Sequence, residues 1–218
     1  WTSSWPSCTN RKRIRKLSSV SFQKKRIEEC LRENIQINER EAQIEAEYIL
    51  KFALKKPSSF FISNQKINID KTQEEFISSI LKKRIKHEPL AYIFNEWDFY
   101  GETFYLDKNS LIPRQDTELL IDIVLKEFDK ESKLNILDLG TGSGVIGITL
   151  SKLYPNSTII ISDISSKALK VANKNIKKHN ATNIRSLESD WFDSFKEKEL
   201  FDLILTNPPY ISKDDVHL

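Results

Sequence analysis

The chain has 218 residues, 39% hydrophobic and 10% aromatic, enough apolar surface for one large domain or one domain plus a small one. No apolar run approaches the roughly 18 residues that a spanning helix needs. The net charge of +3 misleads: residues 1–27 hold eight Lys or Arg and no acid, and the rest carries 26 basic against 31 acidic side chains, without the basic footprint of a nucleic-acid enzyme.

Residues 1–20 form a basic tail. Arg11-Lys12-Arg13-Ile14-Arg15-Lys16 lies among serines and reads as an organellar transit segment or a disordered basic linker. Cytoplasmic and mitochondrial or plastid locations both stay open. Two cysteines, Cys8 and Cys30, give no disulfide framework, which fits a reducing compartment. The chain has no methionine and stops at Leu218, just past its most informative motif, so it reads as a fragment.

Residues 21–88 read as a helical domain. Asn38 with Glu41 three residues later resembles a capping box. Ala42, Ala46, Ile49, Leu50, Ala53 and Leu54 then share one helix face. Acids crowd the start of this helix and lysines its end, as the dipole favours, and Pro57 stops it. A further helix is predicted over 72–85, with Phe76, Ile77, Ile80, Leu81 and Ile85 inward. Glu88-Pro89 breaks the pattern. Residues 89–111 read as a β-hairpin linker, with aromatic-rich strands between Tyr92 and Leu106 around Gly101-Glu102.

Residues 112–218 form the second predicted domain. Ile112-Pro113-Arg114 precedes a helix over 116–128. Strands are then predicted at 134–139, 158–163, 184–189 and 201–206, with helices at 144–153 and 165–179. This alternation is the rhythm of a parallel α/β sheet with helical crossovers.

Four of the five glycines fall in Gly140-Thr141-Gly142-Ser143-Gly144-Val145-Ile146-Gly147, the loop between the first of these strands and its helix. Glycines there let a backbone approach a ligand closely. Gly142 to Gly147 satisfies the dinucleotide fingerprint, so the loop alone admits a nicotinamide cofactor. Asp138 points another way. A carboxylate beside the loop repels a pyrophosphate and suits a cationic ligand such as S-adenosylmethionine; otherwise Asp138 braces the loop. Asp163, ending the next strand, is placed to accept from ribose hydroxyls. After the third strand, Asp190 could accept from an adenine amino group and Trp191 could pack on the base, unless Trp191 is a core aromatic.

The fourth strand ends in Asn207-Pro208-Pro209-Tyr210. Proline lacks an N–H, so the turn offers the Asn207 side-chain oxygen and the Pro208 carbonyl as acceptors without competing donors. Together with the Tyr210 ring they can hold a planar –NH2 group opposite a methyl donor in the glycine loop. Such a reaction needs no strong base, which agrees with the lack of an evident catalytic histidine: His87 and His179 read as solvated. No metal site is expected.

Ile112-Pro113-Arg114-Gln115-Asp116-Thr117-Glu118, Leu137-Asp138-Leu139-Gly140-Thr141-Gly142-Ser143-Gly144, Ser189-Asp190-Trp191-Phe192 and Asn207-Pro208-Pro209-Tyr210-Ile211 together resemble the release-factor glutamine methyltransferases. The resemblance spans roughly 21–218. It implies a helical domain, a hairpin linker and a Rossmann-like methyltransferase domain. It also implies methyl transfer from S-adenosylmethionine to the glutamine amide in the Gly-Gly-Gln loop of class 1 peptide chain release factors. By the same resemblance Gly140, Thr141, Gly142, Ser143, Gly144 and Asp163 hold the cofactor and Trp191 borders it. Asn207 touches both ligands, and Asn207, Pro208, Pro209 and Tyr210 grip the glutamine; Asn207, Pro208 and Tyr210 carry catalysis. Arg114 braces the site, contacts the release factor or makes an interdomain salt bridge. A monomer with no membrane or nucleic-acid partner is expected. The family sheet continues for three strands past this turn, so the fourth strand is expected as an unpaired edge and the fragment as poorly stable and inactive. The rival readings are a nucleic-acid amino-methyltransferase acting on adenine N6 or rRNA guanine N2, a nicotinamide oxidoreductase and an inactive remnant.

Overall fold

The computed structural model describes residues 18–64, 66–196 and 200–208, in two units that divide after Phe94. Most of the basic tail, together with Pro209, Tyr210 and His217, lies outside the described residues. Among the described residues no helix is long and apolar enough to cross a membrane.

The first unit is helical. A short antiparallel pair, β1 (Ser18–Ser19) and β2 (Asn68–Ile69), brackets α1 (Val20–Ile35), α2 (Glu39–Leu54) and α3 (Ser58–Ser63). They are followed by α4 (Lys71–Arg84) and α5 (Leu90–Phe94). The Asn38 side chain accepts from Glu41 N at 2.9 Å and Glu41 returns the bond to Asn38 N, a full capping box at the start of α2. Asp70 and Gln73 repeat this device on α4. Helical periodicity turns Ile27 and Leu31 of α1, Ala42, Ala46, Ile49 and Leu50 of α2, and Ile77, Ile80 and Leu81 of α4 into one core. Arg84 grips Glu45 through two 2.8 Å bonds between α4 and α2.

Two expectations in this unit fail. Phe76 is not inward: it is 43% exposed and stacks against Phe52, with ring centroids 6.0 Å apart. Its neighbour Ile77 takes the core position, because one helical residue rotates the side chain by 100°. Residues 90–94 are helix rather than the start of a hairpin. Tyr92 N and Ile93 N both bond to Pro89 O, so Pro89 starts a helix here instead of breaking the chain.

The second unit begins with the antiparallel hairpin β3 (Glu96–Phe99) and β4 (Glu102–Tyr105). Tyr100 and Gly101 turn it with φ of 49° and 75°, as a type I′ turn requires. A 3-10 turn (Gln115–Thr117) leads into α6 (Glu118–Glu127). There follow β5 (Asn135–Leu139), α7 (Val145–Leu153), β6 (Thr158–Asp163), α8 (Ser166–Lys178), β7 (Ile184–Glu188) and β8 (Leu203–Thr206). The sheet is parallel in the order β7-β6-β5-β8, and every predicted strand and helix of this stretch is present. β8 is at the edge. Ile136, Ile159 and Ile161 pack on one face with Ile148, Leu150 and Ala172, while Leu137, Leu139 and Ile160 form a smaller cluster with Leu187, Phe195 and Phe201. Tyr154 is fully buried and donates to the carbonyls of Val124 and Phe128.

His179 is not solvated. Its side chain is 5% exposed and lies 4.3 Å from the Phe104 ring. Burial holds its pKa below the ordinary value, the nearby Glu102 carboxylate notwithstanding. The apolar hairpin covers a helix end that the sequence shows only as charged.

Candidate active site

β6 and β7 lie on one side of β5, and β8 lies on the other. The order reverses between β5 and β8, which is where an open α/β sheet leaves a crevice at its carboxyl ends. A cavity of about 520 Å³ occupies that position. Its wall takes in Gly140 to Ser143, Asp163, Asp190, Trp191, Asn207 and Pro208, with Arg114 and Thr117 from the segment before α6. A volume of this size suits a nucleotide-sized ligand.

The glycine loop is braced from behind. Asp138 is fully buried, and its Oδ2 accepts from Thr141 Oγ1 at 2.5 Å and Gly147 N at 3.0 Å. Burial raises its carboxyl to about 6, against the lowering effect of those two bonds. Asp138 does not line the cavity, so the loop-bracing alternative describes its contacts. Gly147 is required by close approach: a Cβ there would lie 2.3 Å from Ile161 Cγ2. Gly140 and Gly142 differ. They hold φ of 72° and 59°, and a Cβ on either would meet nothing within 4 Å. The loop therefore presents bare backbone to open space.

Asp163, at the end of β6, orders the loop from the side. Its Oδ2 accepts from Gly142 N and its Oδ1 from Ser165 N, both at 2.8 Å. Each oxygen keeps a second lone pair for a ligand hydroxyl. Gly144, the other glycine assigned to cofactor binding, caps α7 at φ 85° without lining the cavity.

Asn175 was not legible as a site residue. It is fully buried on α8, and its Nδ2 donates to Ser143 O at 2.8 Å and Tyr105 O at 2.9 Å. Its Oδ1 accepts from Tyr105 N at 2.7 Å. One amide thus clamps the glycine loop to β4. The available signal was an asparagine on the apolar face of an amphipathic helix, in line with Ala168, Leu169, Val171 and Ala172.

Trp191 is not a core aromatic. It is 57% exposed at the cavity wall and has a φ of 44°, unusual for a large side chain. Ser189 Oγ holds this conformation by donating to Trp191 O (2.9 Å) and accepting from Ser194 N (3.1 Å). Asp190 is exposed beside it. Arg114 is exposed at the cavity wall, and it is the one cationic side chain among the described lining residues. It makes no ion pair among the described residues.

Asn207 follows β8 directly. Its Nδ2 donates to Thr117 Oγ1 at 2.8 Å across 90 residues of sequence. Pro208 continues the wall. The structure therefore gathers Gly140, Thr141, Gly142, Ser143, Asp163, Trp191, Asn207 and Pro208 around one cavity. Pro209 and Tyr210 lie outside the described residues.

Residues 25–94 match the PrmC N-terminal domain, and residues 115–218 match the methyltransferase small domain. The chain carries a PrmC N-terminal domain followed by a methyltransferase small domain. The first match ends where the first unit ends, at Phe94. The chain is 35% identical over 175 residues to a release factor glutamine methyltransferase of Coxiella burnetii, covering 80% of this chain and 63% of the relative. The corresponding protein of Mycoplasma mycoides is 40% identical over 172 residues, covering 78% and 61%. A bifunctional methyltransferase of Rickettsia bellii is 39% identical over 196 residues, covering 78% of this chain and 35% of the relative. The chain thus spans between about a third and just under two thirds of the length of these relatives.

The second unit is an S-adenosylmethionine-dependent methyltransferase fold. Its cavity fits that cofactor chemically. Open backbone at Gly140 and Gly142 admits the ligand closely, Asp163 and Asp190 match hydroxyl and amino donors, and Arg114 matches a carboxylate.

Proposed function

We propose that the protein methylates the side-chain amide nitrogen of the glutamine in the Gly-Gly-Gln loop of a class 1 peptide chain release factor. The observation that carries this reading is the position and bonding of Asn207. It ends β8 on the wall of the glycine-loop cavity and spends its Nδ2 on Thr117. Its Oδ1 accepts no hydrogen bond among the described residues. An amide whose oxygen is left over at a methyl-donor cavity is an acceptor for a planar –NH2 group. The similarity to release factor glutamine methyltransferases at 35–40% identity supports a release factor as the carrier of that group.

S-adenosylmethionine supplies an electrophilic methyl group on a sulfonium. In this reading the backbone of Gly140, Thr141, Gly142 and Ser143 shapes its cradle. Asp163 takes the ribose hydroxyls, Asp190 the adenine amino group, and Trp191 packs along the base. Asn207 Oδ1 and the Pro208 carbonyl accept the two N–H bonds of the glutamine amide. Those bonds return electron density to a nitrogen whose lone pair is otherwise delocalised, and they aim it at the methyl group. Orientation of this kind supplies a large share of a rate enhancement. Pro208 brings no N–H to compete. Pro209 and Tyr210, which the resemblance assigns to the same grip, lie outside the described residues. Leu111, Ile112, Val145 and Ile146 make much of the remaining wall apolar and limit water.

The same clamp chemistry fits an exocyclic base amine, so the deciding experiment offers both acceptors. With labelled S-adenosylmethionine, the protein is incubated with release factor, DNA and rRNA together. Label is expected in the release factor and lost when its Gly-Gly-Gln glutamine is replaced by alanine. Label confined to nucleic acid rejects the proposal.

A further inference from the structure

Thr117 sits at the start of α6, where a threonine hydroxyl ordinarily accepts from a backbone N–H of the first turn. Here the side chain makes no capping bond. The residue is nonetheless 5% exposed, and its hydroxyl instead accepts from Asn207 Nδ2 at 2.8 Å. Its backbone is pinned by the bond from Thr117 N to Arg114 O (3.1 Å) within the 3-10 turn. A β-branched side chain on a fixed backbone has little freedom about χ1. Helix capping thus leaves the hydroxyl unexplained, whereas the cavity wall accounts for it.

The two ends of a carboxamide are nearly identical in shape and opposite in hydrogen bonding. With Nδ2 toward Thr117, Asn207 has its oxygen available to receive an –NH2 group. Turned over, it would oppose donor to donor and repel the acceptor. We propose that Thr117 is a positioning residue for methyl transfer: its hydroxyl, accepting from Nδ2, anchors the Asn207 side chain at the cavity wall. The inference rests on the reading of Asn207 as the acceptor clamp. Thr117 touches neither the reacting nitrogen nor the methyl group.

The test compares the unmodified protein with Thr117→Val, which keeps the shape and removes the acceptor, and Thr117→Ser, which keeps the acceptor. T117V is expected to lower kcat by about 10- to 100-fold, the scale of a small misplacement at the reacting centre. The KM for S-adenosylmethionine is expected to stay within about twofold, because the glycine loop and Asp163 are untouched. T117S is expected to restore most of kcat. Side-chain amide NMR reads the geometry without any substrate: the Asn207 Nδ2 protons are expected to exchange with solvent about three- to tenfold faster in T117V than in the other two. Equal kcat in all three proteins overturns the proposal. So does a T117V defect that T117S does not repair, or one matched by an equal rise in KM for the cofactor. If the unmodified protein methylates no release factor, the functional reading falls. The Thr117 assignment is then decided by the exchange rates alone, and equal rates overturn it.

Discussion

The side-chain amide of Asn175 donates to the carbonyl of Ser143 at 2.8 Å, inside a fully buried contact between α8 and the glycine loop. The same amide exchanges bonds with both backbone groups of Tyr105. The loop's shape is therefore held by three supports: Asn175, Asp138 behind it and Asp163 beside it. Replacing Asn175 by leucine of similar size strands Ser143 O, Tyr105 N and Tyr105 O in an apolar setting. At roughly 1–3 kcal/mol for a buried group left unpaired, and with partial relaxation, a loss of about 3 kcal/mol is expected. Urea unfolding followed by circular dichroism measures it, and an unchanged midpoint would contradict the clamp.

Glycines of one loop are predicted to fail in different ways. A Cβ at position 147 collides with Ile161 at 2.3 Å, between helix and strand. G147A should lose about 3 kcal/mol of stability through overpacking. A Cβ at position 140 meets no atom, but the φ of 72° is strained for alanine. G140A should fold, with a cost of about 1–2 kcal/mol, and should bind S-adenosylhomocysteine more weakly because the methyl group enters the ligand space. Thermal unfolding with calorimetric titration separates the two; a G147A protein as stable as G140A would contradict the close approach of α7 and β6.

The buried carboxyl of Asp138, raised to about 6, gives a signed pH dependence. Between the unfolded carboxyl range near 4 and about 6, the folded state binds the proton more tightly than the unfolded state does. Its contribution is therefore fully present below about 4 and is lost as pH rises through 6, by about 3 kcal/mol in total. D138N keeps an oxygen for Thr141 and Gly147 and cannot titrate. The difference in stability between unmodified protein and D138N should shift in favour of D138N as pH goes from 4 to 7. Parallel unfolding curves across that range would remove Asp138 as the cause.

Trp191 offers a spectroscopic handle on the cavity. It is 57% exposed on the wall that also holds Asp163. S-adenosylhomocysteine is expected to change the tryptophan fluorescence, W191F to abolish most of that change, and D163A to weaken binding by about tenfold, the value of a charged hydrogen bond or so. NAD should give no response at matched concentrations. A fluorescence change with NAD and none with S-adenosylhomocysteine would restore the oxidoreductase reading.

Much of the second unit was legible because its signals are local. Apolar runs bounded by glycine and aspartate mark β5, β6 and their helices to within a residue or two, and Asn38 with Glu41 marks the start of α2. What escaped depends on partners distant in sequence. Pro89 reads as a stop until Tyr92 and Ile93 bond back to it. His179 looks solvated among lysines until Phe104 of the hairpin covers it. Asn175 and Thr117 carry no motif of their own; their roles follow from contacts 32 and 90 residues away. The Asp138 carboxylate was legible as important, but only the fold shows that it faces the loop backbone rather than the cavity.

The most direct measurement is mass spectrometry of the Gly-Gly-Gln peptide after the release factor is incubated with the protein and S-adenosylmethionine. The account predicts one added methyl group on the glutamine side-chain nitrogen, and its loss in N207A, with cofactor binding retained within about threefold. An unmodified glutamine, or a methyl group on another residue, would contradict it.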